Sequence, residues 1–181
     1  MTHKDLLKLL NDNDVEFVVV GGTALRIYNS PRVTHDIDLS IRIMDVDTVV
    51  RLMYANSYYL VQSLKPAHCI LALTAEKAVA WIDREKVGST AFIQTRSVPQ
   101  KTEIANSEVN IASQIDFLFE LAIPFPRLRQ RARIVELEDV SFPVASPEDL
   151  LFLKKKRTDK DAADLEDIRF LQELLKKGLK S

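Results

Sequence analysis

Hydrophobic residues in the first part of the chain fall into blocks with two different periods. Leucines recur at helical spacing over residues 4–13, which predicts an amphipathic helix. The β-branched run at residues 16–20 predicts a buried strand that ends at Gly21 and Gly22. Residues 36–41 alternate polar and apolar side chains, as a strand does when one of its faces is polar. These blocks predict a helix followed by two strands.

More helices and strands are expected along the rest of the chain. Thr23 can cap a short helix ahead of a break at Pro31, because its hydroxyl can accept a bond from a first-turn N–H. Ser146 and Pro147 form a strong helix start, with the serine as N-cap and the proline at the first helical position. The other predicted elements are helices at residues 45–55, 76–86, 147–156 and 159–176 and strands at residues 90–95, 114–119 and 133–137.

The order of these elements indicates the fold class. Helices interleave with strands, which predicts an α/β or α+β fold built on a mixed sheet. We expect residues 1–145 to form a core and residues 146–181 a helical C-terminal part packed on that core, in a single compact unit. The length of 181 residues fits one such domain.

Composition excludes several classes of protein. Hydrophobic residues make up 46% and charged residues 28% of the chain, which excludes collagen-like and wholly disordered proteins. The formal net charge of −1 does not demand a nucleic-acid or membrane partner. Cys69 is the single cysteine, so neither an intrachain disulfide nor a cysteine-based zinc site can form. Without a long apolar run or a signal-peptide pattern, we expect a cytoplasmic protein with no membrane partner.

Two carboxylates carry the clearest chemical signal. Asp36 and Asp38 stand at positions i and i+2 of a predicted strand, so both project from the same face. Their like charges repel unless a cation joins them, and Mg²⁺ prefers carboxylate and phosphate oxygens. Asp116 lies inside another predicted strand and is the candidate for a third ligand. Two ions held in this way can stabilise both the attacking and the leaving oxygen of a phosphoryl displacement.

The glycine pair fits the same chemistry. A turn without side chains lets backbone N–H groups approach a phosphate, and the start of a helix favours negative charge. Thr23 would add a hydroxyl at the same place. Asp-x-Asp or Gly-Gly alone is a weak signal, but here thirteen residues separate Gly22 from Asp36, in the order that such a site needs.

These residues resemble the signature of the nucleotidyltransferase superfamily that includes DNA polymerase beta. The match consists of the Gly21-Gly22 pair, the thirteen-residue gap and residues 36–39, with the sequence Asp-Ile-Asp-Leu. Arg32 and Thr34 also fit the Arg-x-Thr-x-Asp stretch of small members of the superfamily. The resemblance implies a nucleotidyltransferase fold, with a mixed sheet flanked by helices and a helical C-terminal part.

Within the superfamily, the C-terminal third is similar to AbiEii-type toxin nucleotidyltransferases. That similarity rests on residues 144–150, on Lys154 and on residues 157–164, where one additional residue separates Arg157 from Lys160 compared with the family pattern. It implies an NTP-dependent enzyme that moves a nucleoside monophosphate to an acceptor hydroxyl and releases pyrophosphate. The resemblance implies catalytic roles for Asp36, Asp38, Asp116 and Lys154, two Mg²⁺ ions on the three aspartates, and nucleotide binding by Gly21, Gly22, Thr23, Arg32, Lys160 and Asp161.

The acceptor and the partner stay open at this point. By resemblance, the acceptor is the 3′ end of tRNA, a protein hydroxyl or a small molecule such as an aminoglycoside or lincosamide, and the partner is a cognate antitoxin or toxin. Four arginines, at alternate positions over residues 127–133, are either a phosphate-binding patch for RNA or dispersed surface charge. Three aspartates recur every three residues on one predicted helix, and they either pair with Lys160 and Arg157 or form a wall of the site: Asp161, Asp164 and Asp167. The alternative function is a catalytically degenerate module that binds a nucleotide or a partner.

Overall fold

Alternating apolar and polar segments fold into one sheet with helices packed against it. The computed structural model describes residues 1–178, so residues 179–181 of the predicted C-terminal part lie outside the described residues. The helices are α1 (His3–Asp12), α2 (Gly21–Ile27), α3 (Val46–Ala55), α4 (Ala75–Glu85), α5 (Phe125–Arg131), α6 (Pro147–Lys156) and α7 (Ala162–Gly178). The strands are β1 (Phe17–Val20), β2 (Ile37–Ile41), β3 (Tyr58–Leu64), β4 (His68–Leu71), β5 (Ser89–Thr95), β6 (Glu103–Ala105), β7 (Val109–Leu118), β8 (Arg133–Leu137) and β9 (Val140–Val144).

The described strands form a single sheet in the order β6-β4-β3-β5-β7-β2-β1-β9-β8. Strand β2 runs parallel to β7, and β1 runs parallel to β9, whereas the other neighbours are antiparallel. This arrangement confirms the predicted α/β class with a mixed sheet. It also brings β2 and β7, which are far apart in the sequence, side by side.

The central strands are held by apolar side chains on the face opposite the polar residues. Ile37, Leu39 and Ile41 alternate along β2 and are fully buried, and Phe117 of β7 is buried beside them. Leu10 of α1 belongs to the same core. Burying side chains of this size contributes about 1.5–3 kcal/mol each, so the strands that carry the aspartates are firmly positioned.

The strand-to-helix turn after β1 differs from the prediction in one respect. Helix α2 begins at Gly21, and its N-cap is Val20, which makes no side-chain cap bond. Thr23 therefore lies inside the helix, and the predicted Thr23 cap is wrong. Its hydroxyl instead donates a hydrogen bond to the backbone carbonyl of Asp36, at 2.9 Å. By contrast, Ser146 caps α6 as predicted and accepts a bond from the N–H of Asp149 at 3.2 Å.

Residues 55–112 contain strands that the sequence pattern did not reveal. Strands β3, β4 and β6 extend the sheet beyond β5 and enclose a second, smaller apolar cluster. Cys69 is fully buried there. Within residues 1–178, no helix combines the length and the apolar character needed to cross a membrane.

Candidate active site

The sheet register brings the predicted acidic residues to one point. Asp38 on β2 lies directly opposite Asp116 on the parallel strand β7. On its other side, Asp38 lies opposite Val20, the last residue of β1, so Gly21 follows immediately beside it. Residues opposite one another on paired strands share a face of the sheet. Asp38 and Asp116 therefore project from the same face, next to the glycine turn.

Asp36 completes a group of three carboxylates. One ligand oxygen from each of Asp36, Asp38 and Asp116 lies within 4.8 Å of the other two, and all three side chains are partly buried. A set made only of carboxylate oxygens is the kind that Mg²⁺ and similar hard cations select. By this donor chemistry the three residues fit a divalent cation.

Burial, and after it the neighbouring charges, disfavour the ionised forms of Asp38 and Asp116. Burial, followed by the charges of Asp36 and Asp116, raises the pKa of Asp38 to about 6. Burial and the charge of Asp36 also raise the pKa of Asp116, although a hydrogen bond from Gln114 opposes the change. Raised carboxyl pKa values show that the protein alone does not neutralise this cluster, so an added cation would relieve the repulsion.

Gly21 is required by the close approach of Asp38. Its backbone has a positive φ of 59°, and a Cβ atom at this position would lie 1.9 Å from Oδ2 of Asp38. Any larger residue would therefore displace the carboxylate as well as strain the turn. The next residue, Gly22, donates its backbone N–H to the same oxygen at 3.3 Å. The glycine pair thus positions Asp38 directly.

Two polar neighbours orient the other carboxylates, and the sequence analysis assigned no role to either. Thr34 donates its hydroxyl to Oδ1 of Asp36. Gln114 donates its side-chain amide to both carboxylate oxygens of Asp116, at 3.0 and 2.9 Å. Thr34 and Gln114 each stand two residues before the aspartate that they contact. Residues i and i+2 share a face on an extended chain, so this spacing could have indicated both contacts.

The triad opens into a cleft of about 660 Å³. The basic residues that line it come from the segment before β2 and from the end of α6. Its other walls include β5, the end of β7 and the segment that follows β7. A cleft of this volume is in the usual range for small-molecule sites. The predicted site residues that line it are Gly21, Gly22, Arg32, Asp36, Asp38, Asp116 and Lys154.

Lys154 lies in the cleft wall as part of an ion-pair network. It is only 8% exposed, and its Nζ contacts Asp164 at 2.7 Å and Asp167 at 2.8 Å. Asp167 also pairs with Arg32, and Asp164 pairs with Arg157 at 3.4 Å. Burial alone would raise the pKa of Asp164, but the hydrogen bond and charge of Lys154, with Arg157, lower it below its usual value. The network joins α6 and α7 to the segment before β2.

The remaining predicted residues lie outside the cleft wall. The hydroxyl of Thr23 donates a hydrogen bond to the backbone carbonyl of Asp36. Lys160 donates a hydrogen bond to the backbone carbonyl of Arg157. Asp161 accepts a hydrogen bond from the N–H of Asp164, at 2.8 Å, at the start of α7. None of the four arginines in residues 127–133 is among the described residues that line the cleft. Arg131 instead pairs with Asp149 at 3.4 Å.

A carboxylate triad beside a Gly-Gly turn, at the centre of a mixed sheet, defines a nucleotidyltransferase-type site. The family described as "Nucleotidyl transferase AbiEii toxin, Type IV TA system" matches residues 6–156, and the chain belongs to this family. The protein is therefore a nucleotidyltransferase. Among curated protein sequences, no significant match is found.

Solved structures show the same fold at low sequence identity. A lincosamide antibiotic adenylyltransferase, LnuA, determined with lincomycin bound, is 16% identical with a TM-score of 0.50; the match covers 96% of this chain and 98% of that one. A nucleotidyltransferase-like antigenic protein of Paracoccidioides brasiliensis is 16% identical with a TM-score of 0.53, over 94% of this chain and 73% of that one. At these identities the likeness shows the fold.

Proposed function

We propose that the protein transfers a nucleoside monophosphate from an NTP to an acceptor hydroxyl and releases pyrophosphate, in a reaction that depends on Mg²⁺. The convergence of Asp36, Asp38 and Asp116 within 4.8 Å carries this proposal. A degenerate binding module would not need three uncompensated acids at one point of the sheet. The retained triad therefore favours an active enzyme.

The residues of the cleft would have different roles in such a reaction. Asp36, Asp38 and Asp116 would hold Mg²⁺, which when bound neutralises charge on phosphate oxygens and lowers the pKa of a hydroxyl. Gly21 lets the Asp38 carboxylate lie directly against the turn, because a side chain at this position would displace it. Asp116 lies on the side of the triad nearest β5, where it can orient the acceptor hydroxyl and accept its proton.

The basic wall of the cleft suits the triphosphate. Arg32 and Lys154 line the cleft on the same network, and Arg157 stands at the end of α6. Their positive charges would attract the phosphate groups of the NTP and stabilise the charge on the departing pyrophosphate. The family's description as a toxin of a type IV system supports a toxic activity that a separate antitoxin protein restrains.

Transfer from an α-labelled NTP to cell extract, with and without Mg²⁺, tests the proposal. Asp38→Asn keeps the shape of the side chain but removes its charge, so we expect labelling to fall by at least about a thousandfold, equivalent to about 4 kcal/mol of transition-state stabilisation. The same variant should lose any growth inhibition caused by the wild type.

The matched control is Asp83→Asn, on the exposed surface of α4. This change removes one carboxylate far from the triad in the sequence and should leave labelling within about twofold of the wild type. Full activity of Asp38→Asn, or equal activity with and without Mg²⁺, would refute the proposal.

A further inference from the structure

One row of residues crosses the sheet through the catalytic triad. In register order it contains Val20 on β1, Asp38 on β2, Asp116 on β7, Ala91 on β5 and Val61 on β3. Registered partners share a face, so the floor of the cleft continues past Asp116 onto β5 and β3. The glycine turn lies at one end of this row and the small apolar residues lie at the other.

The floor beyond Asp116 has a clear composition. Ala91 and Val61 lie next in the row, and Leu118 pairs with Ser89 two residues along the same face. We call the four residues Val61, Ser89, Ala91 and Leu118 the acceptor surface; all four line the cleft, and none is fully buried. The acceptor surface therefore presents small apolar side chains and one hydroxyl to whatever lies beside Asp116.

Charge separates the two halves of the cleft. Its basic lining residues within the described chain are Arg32, Lys154, Lys156 and Arg157, which belong to the segment before β2 and to α6 with its C-terminal cap. No basic residue lines it from β3, β5, β7 or the segment after β7, among the described residues. Glu120 is the only charged lining residue that the segment after β7 contributes, and it forms no ion pair with a described residue.

This distribution of charge favours an acceptor without phosphate groups. A nucleic-acid strand brings a phosphate at each nucleotide and needs Lys or Arg to neutralise it. The acceptor surface supplies none, and Glu120 would repel such a strand. A neutral or cationic hydroxyl compound meets no such cost, and its carbon skeleton can pack on Ala91 and Val61.

The extent of the surface limits the size of the acceptor. From β7 to β3 is two strand spacings, about 10 Å. The next residue in the row, Leu71 on β4, is fully buried in the second apolar cluster, so the open floor ends at Val61. A floor of about 10 Å accommodates one or two rings of a small molecule.

We infer that the acceptor is a low-molecular-weight hydroxyl compound without phosphate groups, neutral or cationic, that binds on the acceptor surface beside Asp116. The inference rests on the proposed nucleotidyl transfer, and it excludes an RNA 3′ end. It predicts that a change on this surface affects use of the acceptor and leaves binding of the NTP intact.

The test compares Val61→Lys with Val61→Glu, two enlargements of opposite charge at the end of the acceptor surface away from Asp116. Each protein receives α-labelled NTP and Mg²⁺ with three separate acceptor pools from cells: ultrafiltered metabolites, purified RNA and protein. We expect wild type to label the metabolite pool, and both variants to lose that label by at least about tenfold because both fill the floor. Binding of a non-hydrolysable NTP analogue with Mg²⁺ should stay within about twofold.

Ser89→Trp provides a second variant at an exposed position, in case changes at the half-buried Val61 prevent folding. It should show the same loss of acceptor labelling with retained NTP binding. Label in RNA or protein would overturn the inference. So would RNA labelling that Val61→Lys increases and Val61→Glu decreases. No label in any pool with the wild type would instead refute the proposed function, and this inference with it, whether or not the NTP binds.

Discussion

Two groups of carboxylates near one cleft differ in whether basic side chains compensate their charge. Asp36, Asp38 and Asp116 project from the sheet without a basic partner at ion-pair distance among the described residues. Asp164 and Asp167, on α7, are more deeply buried, with 2% and 3% exposure, and both contact Lys154. The pKa of Asp38 is raised to about 6, whereas the pKa of Asp164 is lowered.

The difference separates acids that basic residues of the chain compensate from acids that they do not. Buried acids with internal cations are satisfied, and their removal breaks a network. Buried acids without them repel one another, and the proposed Mg²⁺ would relieve that repulsion. Lys154 lies between the two groups: it pairs with the α7 acids, and its charge has a smaller influence on Asp38 than the neighbouring carboxylates have.

The comparison predicts its largest effect on folding at Lys154. Lys154→Met would leave Asp164 and Asp167 buried with weaker partners, so we expect the free energy of unfolding to fall by about 3–5 kcal/mol. The matched control is Lys155→Met, at the exposed position next to Lys154 on α6. It should change the free energy of unfolding by less than about 0.5 kcal/mol. Urea denaturation measures both, and an unchanged midpoint for Lys154→Met would show that the network is not stabilising.

For the triad we predict a change of opposite sign: removal of a charge should raise the free energy of unfolding. Because the folded protein raises the pKa of Asp38 from 3.8 to about 6, the metal-free protein should lose stability as pH rises through this interval. Asp38→Asn removes that loss, so near neutral pH the metal-free variant should be more stable than wild type by up to about 3 kcal/mol.

Urea denaturation in EDTA across this pH interval measures that effect, and the two proteins should converge towards about pH 4, where the carboxyl is protonated. Saturating Mg²⁺ should stabilise the wild type more than Asp38→Asn. A variant less stable than wild type at neutral pH in EDTA would contradict the view that the triad is repulsive.

A smaller effect is expected at Asp167, which we regard as a positioning residue for Arg32. Asp167→Asn weakens its ion pair with Arg32, so KM for the NTP should rise by about three- to tenfold while kcat changes less. Glu166→Gln, the exposed neighbour on α7, should leave KM unchanged. An equal fall in kcat with constant KM would assign Asp167 a different role.

The part of the site that could be predicted lies in local patterns. The strand, the glycine pair and the alternating Asp-x-Asp stretch are each encoded within a few residues, and their order limits how β1 and β2 can pair. Asp116 was predicted from its own apolar neighbours. The parallel pairing of β2 with β7 then placed it opposite Asp38.

Contacts between distant segments could not be predicted in the same way. Arg32 and Asp167 are 135 residues apart, and no periodic pattern links them. Strand β9 contains Pro143, which cannot donate a backbone hydrogen bond and weakens a strand prediction; the sheet tolerates it between β1 and β8. Strands β4 and β6 are too short, at 4 and 3 residues, to show alternation, so the sequence did not reveal this edge of the sheet.

The most direct measurement is anomalous diffraction from crystals of the wild-type protein soaked with Mn²⁺ and a non-hydrolysable NTP. Mn²⁺ shares the preference of Mg²⁺ for oxygen ligands and can be located unambiguously by its anomalous signal. We predict a peak bound by carboxylate oxygens of Asp36, Asp38 and Asp116, with the triphosphate beside Gly21. Crystals that contain the nucleotide but show no peak between these three carboxylates would contradict the account.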